Sequence, residues 1–144
     1  MDTLLLHLHS ILRWVVLALL IYTLVGAFTK NASVKKSSLW LMITAHTMLL
    51  VGLYQWVAGR MGILNVPENI NIMKDSYYRF FLVEHPMMMI ISIVLISIAR
   101  GKAKELNYKA TTWLLLVALI LILAAVPWPI RGGTIGRPWF PSLG

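Results

Sequence analysis

The sequence predicts an all-α membrane protein: an up-down-up-down bundle of four transmembrane helices with both termini on the non-cytoplasmic side. Three observations carry that expectation. Of the 144 residues, 59% are hydrophobic and only 12% are charged, which is more apolar surface than a soluble domain of this size can hide. Four apolar runs each come near the roughly 20 residues that crossing a bilayer demands. Nearly all Lys and Arg residues fall between those runs rather than inside them. The length suits one membrane domain covering residues 1–144.

The first span covers residues 5–28. No basic residues precede it and it lacks a small-residue cleavage site, so it is expected to be retained rather than removed as a signal peptide. The second span covers 39–58, and the third covers 78–99, with Ser76 as its expected N-cap. The fourth covers 111–126 and is stopped by Pro127 and Pro129. The connection 59–75 is rich in Gly, Pro and Asn, which predicts an irregular or short-helical cap over the bundle. The tail 127–144 lies on the same side.

Charge sets the orientation. The connections after spans one and three hold Lys30, Lys35, Lys36, Arg100, Lys102, Lys104 and Lys109 against one acid, Glu105. On the other face, Arg60, Lys74, Arg79, Arg131 and Arg137 are offset by Asp2, Glu68, Asp75 and Glu84. The positive-inside rule puts the Lys-rich loops in the cytoplasm. Trp56, Tyr77, Tyr78, Trp128 and Trp139 gather at the outer ends, as an interfacial aromatic belt would. Short cytoplasmic loops make spans one and two, and three and four, antiparallel neighbours.

Several function classes drop out. The chain has no Cys, which excludes disulfides, thiolate catalysis, Cys-ligated clusters and covalently attached c-type haem. The net charge of +8 does not signal nucleic-acid binding, because the basic residues flank apolar spans and form no stripe with stacking aromatics. Walker and dinucleotide fingerprints are absent, and no Ser–His–Asp order suggests a hydrolase. With no catalytic motif, an enzymatic role extends at most to the electron-transfer subunit of an oxidoreductase complex.

Chemistry is expected at the polar residues inside the spans. His9, His46 and His85 all fall within them, and ionisable side chains at that depth are costly and tend to face the bundle interior. His9 and Arg13 are four residues apart and share a helix face with Val16, Leu20 and Thr23. The His85 face continues through Met88, Met89 and Ser92, while His46 lies among Met42, Leu49, Leu50 and Leu53. At about 1.5 Å per residue, His9 and His85 both lie roughly 8–10 Å below the outer boundary, and His46 roughly 15–20 Å. Two imidazoles at one depth on different helices suit a bis-imidazole clamp on b-type haem. Arg13, Arg79, Arg131 or Arg137 would then pair with its propionates. His46 is a third candidate ligand, a partner for a quinone oxygen near Arg13, or a bond between helices.

Blander readings use the same residues. A transmembrane histidine also serves as interhelical glue, and Arg13 can snorkel outward. His7 points roughly away from His9 and lies nearer water. Glu84 can serve only to neutralise Arg13 or Arg79, and is the one carboxylate that leans towards burial. Met87, Met88 and Met89 beside His85 are soft enough for copper, though a Met run also simply packs. Pro86 is either a kink or an early-helix proline. A cofactor-free accessory subunit of a larger membrane complex is therefore the main alternative to a haem protein, and a copper-handling protein a lesser one.

The motifs Leu8-His9-Ser10 with Arg13-Trp14, Ala45-His46 with Leu49-Leu50-Val51-Gly52-Leu53, Lys74-Asp75-Ser76, Arg79-Phe80, Glu84-His85 and Pro127-Trp128-Pro129 with Arg131 span nearly the whole chain. On them the sequence resembles a family of small bacterial four-span inner-membrane proteins described as cytochrome b-like. The resemblance implies b-type haem, a place in or near a respiratory chain alongside other membrane subunits, and location in the bacterial inner membrane. It carries His9, His46 and His85 over as candidate ligands without saying which two pair.

Overall fold

The computed structural model describes residues 2–59, 62–128 and 136–137. Its elements are α1 (Asp2–Phe28), α2 (Val34–Ala58), a single 3-10 turn (Ile63–Asn65), α3 (Ser76–Arg79), a π-helical segment (Phe80–Glu84), α4 (His85–Lys104) and α5 (Tyr108–Ala125). No strand occurs among the described residues. Four helical segments are long and apolar enough to cross a membrane, with α3, the π segment and α4 joined as one. This is a multi-pass helical membrane protein.

The helices outrun the apolar windows. α2 starts at Val34 rather than 39, the third span runs from Ser76 to Lys104, and α5 starts at Tyr108. Apolarity marks where hydrocarbon begins, whereas a helix continues through the polar interface until its backbone is capped. The N-cap of the third span is Asp75, not Ser76: its carboxylate accepts from the backbone N–H groups of Tyr77 and Tyr78 at 3.0 and 3.3 Å. A carboxylate caps and also favours the positive helix end, so it prevails over the adjacent hydroxyl. At the same end of the bundle, α5 stops at Ala125. Val126 is extended, as a residue before proline prefers to be.

Both short connections use the same device. Asn31 N–H donates to Gly26 and Lys30 N–H to Ala27. In the second, Asn107 N–H donates to Lys102 and Leu106 N–H to Ala103. These are paired Schellman caps, and each puts a non-glycine residue in the left-handed region, Lys30 at φ 57° and Leu106 at φ 55°. Asn107 then caps α5 by accepting from the Ala110 N–H at 3.1 Å.

The main helix pairings are α1 with α2, α2 with α4, α4 with α5, and α5 with α1. α1 and α4 therefore face each other across a diagonal. Between them lies a core of Val16, Leu20, Leu41, Ile96, Leu115 and Ile122. Small residues line the contacts: Ala45, Ala99, Ala118, Ser38 and Ser92 are all buried. In lipid, helices gain little by hiding apolar surface from one another, so close backbone approach and interhelical hydrogen bonds hold them. Thr23 of α1 donates to Ser37 of α2 at 2.9 Å in this way. The expected His9–Arg13 face is confirmed, because Val16, Leu20 and Thr23 are all buried. Large apolar side chains such as Ile21, Val25, Leu50, Val94 and Ile120 face outward, as lipid-facing residues do.

Candidate functional site

His85 is placed beside a proline and by backbone carbonyls left short of a donor. Pro86 has no N–H, so the carbonyl of Leu82, four residues back, loses its helical donor. The indole N–H of Trp56 on α2 donates to that carbonyl at 2.8 Å. The backbone loosens locally into the π segment, with the His85 N–H donating five residues back to Phe80. α5 ends at Ala125, so the carbonyls of its last turn, Leu123 and Ala125 among them, have no helical donor. Trp128 fills the first vacancy with its indole N–H at 2.9 Å. His85 fills the second, donating from Nδ1 to the Ala125 carbonyl at 2.7 Å.

That bond decides the chemistry of the ring. A carbonyl only accepts, so in the neutral imidazole the proton is on Nδ1 and the lone pair on Nε2. His7 and His46 bond differently. Each turns Nδ1 to a carbonyl of its own helix four residues back, Thr3 at 2.7 Å and Met42 at 2.8 Å. Only His85 uses this bond to reach another helix.

His9 meets His85 across the bundle diagonal. The ring centroids are 6.4 Å apart with the planes tilted by 52°. Phe80 packs on the His85 ring at 6.1 Å. α2 makes room for His9 at Gly52, where a Cβ would stand 3.7 Å from its Nε2 and so occupy the space beside the ring. One layer thus draws a group from each span: His9 from α1, Gly52 from α2, His85 from α4 and the Ala125 carbonyl from α5. Two imidazoles on opposite sides of one metal, at about 2.0–2.1 Å each, have centroids about 6 Å apart. No group of three or more His, Cys, Asp or Glu residues forms among the described residues. Two imidazoles alone suit a macrocycle that brings its own equatorial nitrogens.

The remaining candidates make other contacts. His46 is on an outward face of α2, away from the pair. Arg13 donates to Ser10 at 3.2 Å, and its guanidinium stands 5.2 Å from the Trp14 ring and 5.9 Å from the Trp128 ring. Arg79 is half-exposed, 3.4 Å from the Glu84 carboxylate, and donates to the Met73 carbonyl at 3.2 Å. Glu84 does not lean towards burial, since its side chain is 44% exposed. Arg137 folds over the third span, donating to the Tyr77 hydroxyl at 3.2 Å and lying 4.8 Å from the Phe81 ring. Met87 turns outward beside Pro86, while Met89 packs on the core. Arg60, Arg131 and Trp139 lie outside the described residues.

Counting helical depth could pair His9 with His85. It could not find Trp56, Trp128 or the Ala125 carbonyl. Part of the signal was present all the same, because Pro86 marks the Leu82 carbonyl four residues back as needing another donor. Comparisons with protein-family models, curated proteins and solved structures find no match to this chain.

Proposed function

We propose that this chain is a b-type haem-binding subunit of the bacterial inner membrane that serves electron transfer in or near a respiratory chain, with His9 and His85 as the residues that would hold the haem. The observation that carries the reading is the 6.4 Å approach of two imidazoles from diagonal helices. When bound, the haem iron would supply a one-electron redox couple. The chain's own contribution is orientation and environment. The bond from His85 Nδ1 to Ala125 aims the ring and raises the basicity of Nε2. Gly52 leaves space beside His9. Arg13, nearest in sequence to His9, is the cation assigned to the propionates, since Arg79 already faces the Glu84 carboxylate. The fold we propose around this site is up-down-up-down with both termini outside. Its support is the two tight Schellman connections and the seven basic residues flanking them.

The test is a reduced-minus-oxidised spectrum of protein purified from native membranes, with haem extracted and quantified. A b-type spectrum that His9→Ala and His85→Ala abolish, and His46→Ala preserves, is the expected result. Absence of haem favours the second reading, a cofactor-free accessory subunit of a larger membrane complex. The same ring spacing supports that reading, since packed aromatic pairs also fall at about 4.5–7 Å.

A further inference from the structure

His46 is the central residue of the 25-residue helix α2, with about 18 Å of helix on either side. It is exposed there, in the part of a bilayer where an imidazole is most costly. The imidazole stands in a groove of about 480 Å³ between α2 and α4, lined by Met42, Ile43, Thr47, Leu50 and Ser97.

The groove has a one-sided hydrogen-bonding character. His46 Nδ1 donates to Met42, so Nε2 presents a lone pair outward. The Thr47 hydroxyl donates to Ile43 at 2.9 Å and the Ser97 hydroxyl to Ile93 at 2.8 Å. Every polar proton here is committed to the groove's own helices, and only acceptors remain. A second copy of the chain presenting this face would set acceptors against acceptors. An oxidised quinone, which only accepts, fits no better. The occupant must dissolve in the bilayer, donate hydrogen bonds and lay an apolar body against Met42, Ile43 and Leu50.

The geometry points to a binding site for the head group of a membrane-soluble hydroquinone, whose phenolic O–H donates to His46 Nε2. The hydrogen bond of this pairing runs towards His46, so the reduced form is bound and not the oxidised one. The choice of hydroquinone among donor-bearing lipids rests on the redox reading above.

The protein in lipid nanodiscs is titrated anaerobically with decylhydroquinone, decylbenzoquinone and the dimethyl ether of decylhydroquinone, and its haem content is measured on the same sample. Decylhydroquinone is expected to bind about tenfold more tightly than the other two probes, and His46→Leu to remove that preference. Because residue 46 faces outward, His46→Leu keeps the fold, which circular dichroism checks. In ¹⁵N-histidine-labelled protein the Nε2 resonance of His46 should shift with the hydroquinone alone. Equal binding of the three probes, or a preference that survives His46→Leu, overturns the proposal. So does quantitative photo-crosslinking from position 50 to another polypeptide in native membranes, which would make the groove a protein interface. A haem-free protein that binds decylhydroquinone through His46 sinks the haem reading and keeps this one; a haem-loaded protein indifferent to the three probes does the reverse.

Discussion

Trp56 and Pro86 are complementary across two helices: the proline leaves the Leu82 carbonyl short of a donor, and the indole N–H supplies one at 2.8 Å. Trp56→Phe keeps most of the ring and removes the donor, so it should destabilise the fold by about 1–3 kcal/mol, the cost of an unsatisfied carbonyl away from water. Pro86→Ala restores a backbone N–H four residues beyond Leu82, so Trp56→Phe should cost much less in that background. Reversible unfolding in mixed detergent, analysed as a double-mutant cycle, reads the coupling. Additive effects would mean that the indole does not serve this carbonyl.

Gly52 is predicted to tolerate Ala but not Leu. A Cβ would lie 3.7 Å from His9 Nε2, an ordinary contact, so Gly52→Ala should shift stability by less than about 0.5 kcal/mol. Gly52→Leu fills the space beside the imidazole and should displace His9. The expected outcome is lost haem retention with helicity unchanged, read by spectrum and circular dichroism on one sample.

Lys30 is held at φ 57° and is exposed. Replacing it with glycine should stabilise the protein by about 1 kcal/mol by relieving the left-handed strain. Leu106 has the same backbone but packs against Ala27, Val34 and Ala103. Leu106→Gly should therefore gain little or lose stability, since lost packing offsets the relief. Unfolding midpoints of the two variants, compared side by side, check the opposed expectations.

Thr23→Val deletes the buried bond to Ser37 while keeping the side-chain shape. A cost of about 0.6 kcal/mol, and under about 2, is expected, as for hydrogen bonds between membrane helices generally. A larger loss would show that the α1–α2 contact depends on this bond more than on its packing.

The spans were legible because apolar runs of bilayer length have few alternatives, and the ends were less so because capping, not hydropathy, terminates a helix. Asp75 displaced Ser76 for that reason. The His9–His85 approach was legible from depth alone: equal counts from one boundary place two side chains in one layer. The outward face of His46 was not, because α2 is apolar around most of its circumference and carries no clear stripe to say which side faces the bundle. Arg79 looked available until the carboxylate of Glu84, five residues on, came within 3.4 Å of it. The bond from His85 to Ala125 joins residues 40 apart through a backbone atom, and side-chain patterns carry no record of backbone acceptors beyond the prolines that vacate them.

The same bond orders events during biogenesis. Residue 125 follows residue 85 by 40 positions, so the imidazole of His85 is not aimed until α5 has joined the bundle. A nascent chain that has not yet made α5 presents an unaimed ring, and maturation of this layer is thereby deferred until that helix packs.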